Sequence, residues 1–318
     1  MRETGENRIG RVRSIFPLLG LFVFLTIPRF LSADEARFGK PLAKGLIYPG
    51  ELVSTSDLLK AGGHFHSFLL TTDLAKLFAG THVGLFKSLD RGLTWELVAP
   101  RFIGEEVQGI AGDTVTGVLY VATRNMGLQV SRDWGDTWTG HASRIEGRDI
   151  RAVALGPGRP GVIYASAAGR GLFRSDDGGS RWSQVTDKRA LPAVASLAVH
   201  PERVEQLYAG TATGVWLSID GGYNWSRPSG GLRHGTSVVS PQPGPTDRLF
   251  AVTRKGMFVG KLDGTSWTRL SRTPWGTPTA LAFLADRPGQ VFVMTHEGVV
   301  AAQLPGTEAW ALITELPP

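Results

Sequence analysis

Ser218-Ile-Asp-Gly-Gly-Tyr-Asn-Trp225 repeats a pattern found three times upstream, in Ser88-Leu-Asp-Arg-Gly-Leu-Thr-Trp95, Ser131-Arg-Asp-Trp-Gly-Asp-Thr-Trp138 and Ser175-Asp-Asp-Gly-Gly-Ser-Arg-Trp182. All four read Ser-x-Asp-x-Gly-x-x-Trp. Two weaker copies follow in phase, Leu262-Asp-Gly-Thr-Ser-Trp267 and Leu304-Pro-Gly-Thr-Glu-Ala-Trp310. The six tryptophans, Trp95, Trp138, Trp182, Trp225, Trp267 and Trp310, stand 43, 44, 43, 42 and 43 residues apart. A period this regular marks an array of one supersecondary unit.

The unit around Trp225 shows what is repeated. Val194 to His200 is an apolar strand, Pro201 to Glu205 a turn, Gln206 to Thr211 a second strand, Gly214 to Ser218 a third, and the chain from Trp225 onward a fourth. Four short antiparallel strands per unit match one blade of a propeller. The expectation is an all-β fold, a β-propeller of about six blades over residues 64–318, with repeats starting near His64, Glu106, Asp149, Pro192, Gly235 and Gly276. A composition of 41 Gly, 19 Pro and only 19% charged residues suits many tight turns rather than long helices.

The motif falls in the turn between third and fourth strands. There Asp90, Asp133, Asp177 and Asp220 accept hydrogen bonds from turn amides, and the glycine two residues on takes a positive φ. Trp95, Trp138, Trp182 and Trp225 then cover the seams between blades, where a large flat side chain buries much apolar area. One carboxylate per distant turn does not assemble the six to eight oxygens that calcium takes.

These residues resemble the Asp-box, or bacterial neuraminidase repeat, superfamily. That superfamily includes sialidases, sortilin-type ectodomains, some xyloglucanases and photosystem II assembly factor-like propellers. Leu207-Tyr-Ala-Gly-Thr211 followed by Gly214-Val-Trp-Leu-Ser-Ile-Asp-Gly-Gly222 is most similar to the assembly factor-like and sortilin-like branches. The resemblance covers residues 64–318 and bears on fold more than on function.

The N-terminus reads as an export segment. Arg2, Arg8, Arg11 and Arg13 precede the apolar run Ile15 to Ile27, and Phe30-Leu-Ser-Ala33 offers a small-residue cleavage site. Residues 1–33 are expected to be a signal peptide or membrane anchor, and residues 34–63 a spacer with a closing strand. The product is then periplasmic or extracellular, with membrane association through residues 14–32 if the segment is retained. Without residues 1–33, which carry five Arg against Glu3 and Glu6, the formal net charge falls from +6 to +3. That weakens any nucleic-acid reading. With no cysteine, the chain has no disulfide, thiolate or lipoprotein anchor. Leu46-Ile-Tyr48 and Glu51-Leu-Val-Ser-Thr55 read as an outer strand on the last blade or the start of a seventh.

Catalytic signals are sparse. The resemblance to sialidases would imply a tyrosine nucleophile beside a carboxylate and three arginines. Tyr120, Tyr164 and Tyr208 recur at one strand position and read as packing residues, while Tyr223 lies inside a motif copy. A two-carboxylate glycoside hydrolase, with acids at the channel mouth, is the alternative function. His64-Phe-His66 places two imidazoles on one strand face but shows no third ligand, so no metal and no cofactor are expected.

Strand alternation puts the loops joining strands two and three on the same face as the loops between blades. The first set carries Arg124, Arg170, Arg254 and Lys255, with His82 and His296. The second carries Arg101, Arg144, Arg148, Lys188, Arg189, Arg233 and Arg272, beside His234 and Trp275. Against them stand Glu105, Glu106, Glu146, Asp149, Asp187 and Glu297, a balance of +5. The expectation is a noncatalytic scaffold or assembly factor that uses this basic face to bind an acidic protein surface or another anionic ligand.

Overall fold

A computed structural model describes residue 47 and residues 51–318, apart from 72, 114, 141–144, 146, 160, 188–189, 271–274, 285–286, 288, 305, 308 and 317–318. The export signal and the residues proposed for membrane association lie outside the described residues. Among the described residues no helix is long and apolar enough to cross a membrane.

The described residues open with β1 (Leu52–Ser54) and α1 (Thr55–Lys60), then lay down six consecutive blades. Blade 1 is β2 (Phe65–Leu70), β3 (Leu77–Thr81), β4 (Gly84–Ser88) and β5 (Thr94–Leu97). Blade 2 is β6 (Val107–Asp113), β7 (Val118–Thr123), β8 (Leu128–Ser131) and β9 (Thr139–Gly140). Blade 3 is β10 (Ile150–Leu155), β11 (Ile163–Ala167), β12 (Gly171–Ser175) and β13 (Ser183–Asp187). Blade 4 has β14 (Val194–Val199), β15 (Leu207–Thr211) and β16 (Gly214–Ser218). Blade 5 is β17 (Thr236–Pro241), β18 (Leu249–Thr253), β19 (Gly256–Gly260) and β20 (Thr268–Arg269). Blade 6 is β21 (Pro278–Ala282), β22 (Phe292–Thr295), β23 (Val300–Gln303) and β24 (Trp310–Leu312). The fourth strand of blade 4 shrinks to one bridge, Leu217 to Ser226. Pro228, two residues on, has no N–H to continue the ladder.

The first strands β2, β6, β10, β14, β17 and β21 contact one another in sequence around the centre, and β21 returns to β2. Every residue of β3, β11, β15 and β18 is buried. These second strands are covered on both faces by neighbouring blades, so they read as continuous apolar runs rather than alternating ones. Each motif tryptophan joins a cluster shared with the preceding blade. Trp182 packs with residues of blades 2 and 3, Trp225 with blades 3 and 4, Trp267 with blades 4 and 5, and Trp310 with blades 5 and 6. Trp138 meets Phe102 edge-on, ring centroids 5.0 Å apart, and Trp95 packs among residues of blades 6 and 1.

The tyrosines stitch in the opposite direction. The hydroxyls of Tyr120, Tyr164 and Tyr208 donate to the carbonyls of Gly178, Val204 and Leu262, each in the following blade. Burial pushes the Tyr164 phenol up to about 12, which suits a fixed donor and not a nucleophile.

The N-terminal strand is placed differently from the sequence expectation. β1 pairs antiparallel with β5 on the outer edge of blade 1, Val53 opposite Trp95, and belongs neither to the last blade nor to a seventh. Its role in closure comes through α1, which follows directly. Leu58 of α1 is fully buried in the cluster shared by blades 6 and 1. Arg91 completes the junction by donating to the carbonyl oxygens of Leu316 at 2.5 Å and Ile313 at 3.5 Å.

Candidate functional site

The four full motif copies are structural turns. In the copy at Asp220, Oδ1 accepts from Ser218 Oγ and the Asn224 amide, and Oδ2 accepts from Asn224 Nδ2. Asp90, Asp133 and Asp177 repeat the Oδ1 pattern with Ser88 and Thr94, Ser131 and Thr137, and Ser175 and Arg181. Burial pushes the Asp220 carboxyl up, but these hydrogen bonds hold it below the usual carboxylate value. The oxygens are thus engaged in local turns.

The other face holds a cavity of about 1250 Å³ at the centre of the ring. Its wall has a regular origin. Each innermost strand carries a β-bulge at its second residue, between Phe65 and Ser67, Val107 and Gly109, Ile150 and Ala152, Val194 and Ser196, Thr236 and Val238, and Pro278 and Ala280. Bulges re-aim a side chain out of the strand's alternation. The six bulged residues, His66, Gln108, Arg151, Ala195, Ser237 and Thr279, all line the cavity. The ring is chemically lopsided, long and polar over blades 1 to 3 and small over blades 4 to 6.

Loops complete the wall. Arg233, His234, Arg254 and Lys255, four of the basic-face residues expected from sequence, line the cavity together on blades 4 and 5. Lys255 Nζ donates to His234 Nε2 at 3.4 Å. Arg233 and Arg254 are exposed and have no carboxylate partner among the described residues. Arg124 does not line the cavity, and its Nη1 donates at 2.7 Å to Glu106, which does. Arg148 and Arg170 are exposed but lie outside the lining, and Trp275 is an exposed apolar residue away from it. Arg101 turns instead to the Trp138 carbonyl, to which its Nη1 donates at 2.7 Å. Arg144, Lys188, Arg189 and Arg272 lie outside the described residues.

Arg151 was hidden from sequence reasoning. It sits inside β10, where alternation assigns every second residue to a blade seam, and only the bulge brings it to the cavity. Its guanidinium donates to Asp149 at 2.7 Å, and Asp149 also accepts from Gln108 Nε2 at 3.0 Å. Across the mouth from the basic arc stand four of the chain's seven histidines, His64, His66, His82 and His296. His64 stacks on His296, centroids 4.1 Å apart, and His66 meets His82 edge-on at 3.9 Å. The strand pair His64 and His66 was visible in the sequence, but His82 and His296 come from turns of two different blades.

No family model matches the chain, and no curated protein matches it. Solved structures do. The xyloglucanase of glycoside hydrolase family 74 from Xanthomonas campestris superposes with a TM-score of 0.57 at 17% identity, over 83% of this chain and 47% of that one. The extracellular domain of a hybrid two-component system from B. thetaiotaomicron gives 0.56 at 15% identity, over 81% and 36%. YCF48 bound to D1 peptide gives 0.55 at 15% identity, over 88% and 89%. The chain thus spans less than half of the hydrolase and of the extracellular domain, but nearly all of YCF48. At these identities the likeness concerns the fold alone, and the chain itself is a β-propeller of six blades.

Proposed function

We propose that this chain is a noncatalytic exported propeller whose mouth receives an acidic segment of a protein partner. One observation carries the reading. Among the described residues that line the cavity, Arg151, Arg233, Arg254 and Lys255 are cationic, whereas Glu106 is the one carboxylate and is already paired with Arg124. Asp149 offsets Arg151, so the uncompensated charge lies on Arg233, Arg254 and Lys255. Clustered cations at a concave mouth steer an anionic partner and fix its orientation on arrival. The small side chains of Ala195, Ser237 and Thr279 leave space beneath that arc for an extended chain. The similarity to YCF48, seen with a peptide, supports peptide capture by this fold.

A carbohydrate-active hydrolase on the same fold needs two carboxylates facing each other roughly 5 to 10 Å apart across the site. The described lining supplies one. The test is crosslinked capture from envelope fractions with the full chain and with the triple variant Arg233→Glu, Arg254→Glu, Lys255→Glu. The same partner bands should appear with wild type and vanish with the variant. Equal capture by both rejects the reading.

A further inference from the structure

The proposed capture of an acidic segment rests on Arg233, Arg254 and Lys255 and leaves the histidine arc unassigned. His66, His82 and Glu106 come from three separate elements, the bulge of β2, the turn between β3 and β4, and the linker into β6. One ligating atom from each lies within 4.8 Å of the other two. His82 Nδ1 is 3.8 Å from Glu106 Oε1, and the other carboxylate oxygen accepts from Arg124. His66 Nε2 is buried without any hydrogen-bond partner. A buried imidazole nitrogen left unpaired is costly unless something occupies it.

We infer that His66, His82 and Glu106 form a binding site for a divalent first-row transition metal of the zinc class, open to the mouth. Two imidazoles and one carboxylate are the N/O donor set of open zinc and related sites. Ligands on a tetrahedral ion with bonds of ~2.0 to 2.1 Å stand ~3.3 Å apart, so small side-chain rotations draw the three donors inward. The Arg124 hydrogen bond orients the carboxylate from behind, as outer partners do in metal sites. Because His66 and Glu106 line the cavity, an ion held by them would be reached from its interior.

The test is calorimetric titration of chelator-treated full chain with zinc chloride at about pH 7.5, where the ligands are deprotonated. His82 has 44% of its side chain exposed, so His82→Gln preserves the fold, and unfolding curves of the zinc-free proteins verify this. His66→Gln is the second variant. Wild type should bind one zinc per chain, and each variant should lose at least about tenfold in affinity. Cobalt(II) should give visible bands with wild type that His82→Gln abolishes. Absence of saturable zinc binding in wild type, or unchanged affinity in either variant, overturns the assignment.

Discussion

The indole Nε1 of Trp95 donates to Thr55 Oγ1 at 3.0 Å, and that hydroxyl donates in turn to the Gly92 carbonyl at 2.9 Å. The same chain of contacts recurs between blades 3 and 4, where Trp225 Nε1 donates to Thr186 Oγ1 at 3.0 Å and Thr186 donates to the Gly222 carbonyl. Thr186 belongs to the fourth strand of a blade, whereas Thr55 belongs to α1. The N-terminal helix therefore supplies at the closing seam a contact that a blade supplies elsewhere, and the ring closes without exchanging a strand between its ends. Thr55→Val should orphan the buried Trp95 N–H and lower stability by about 1 to 3 kcal/mol. Urea unfolding measures it, and Thr186→Val should cost less, because Trp225 Nε1 also donates to the Gly222 carbonyl at 3.0 Å and keeps that partner. A neutral Thr55→Val would show that α1 does not hold the seam.

The motif turns make stability depend on acid in one direction. Asp90 and Asp220 are held below the unfolded value of 3.8, so their stabilisation is complete above that value and is lost as pH falls through the folded values. Thermal midpoints should hold from neutral pH to about pH 4 and drop below it. Asp220→Asn should lower the midpoint at neutral pH and flatten the acid limb. A limb as steep as that of wild type would assign acid sensitivity to other groups.

Gly214 opens β16 with φ +118°, and a Cβ there would lie 2.0 Å from the Leu232 carbonyl oxygen. The backbone has no room to yield at that distance, because Val215 N donates to the same oxygen at 3.1 Å. Gly214→Ala should cost upwards of about 2 kcal/mol, read as a fall in the urea midpoint. It should also disturb the neighbouring Arg233 loop and weaken partner capture. A variant as stable as wild type would contradict the turn geometry.

The propeller was legible because its determinants are local and repeated. Ser218, Asp220, Gly222 and Trp225 act within one turn and its adjacent seam, so each copy spells out the same physics. The mouth was legible only where basic residues sit in loops, as at Arg233 and Arg254. The bulged ring was not, since His66, Gln108, Arg151, Ala195, Ser237 and Thr279 share a backbone position and no side-chain chemistry. His66 and His82 likewise meet through pairing of β2 with β3, not through spacing. β1 went to blade 1 because its pairing choice depends on which edge is free, and an isolated Leu-Val-Ser does not encode that.

Fluorescence anisotropy of a labelled polyglutamate peptide tests the proposed mouth most directly, using full-length wild type and the Arg233→Glu, Arg254→Glu, Lys255→Glu variant at low and high salt. Wild type should bind saturably, weaken as salt screens the charges, and lose at least about tenfold in affinity on triple reversal while the unfolding curve stays unchanged. Equal binding by wild type and variant, or binding indifferent to salt, would contradict a basic mouth built to hold an acidic segment.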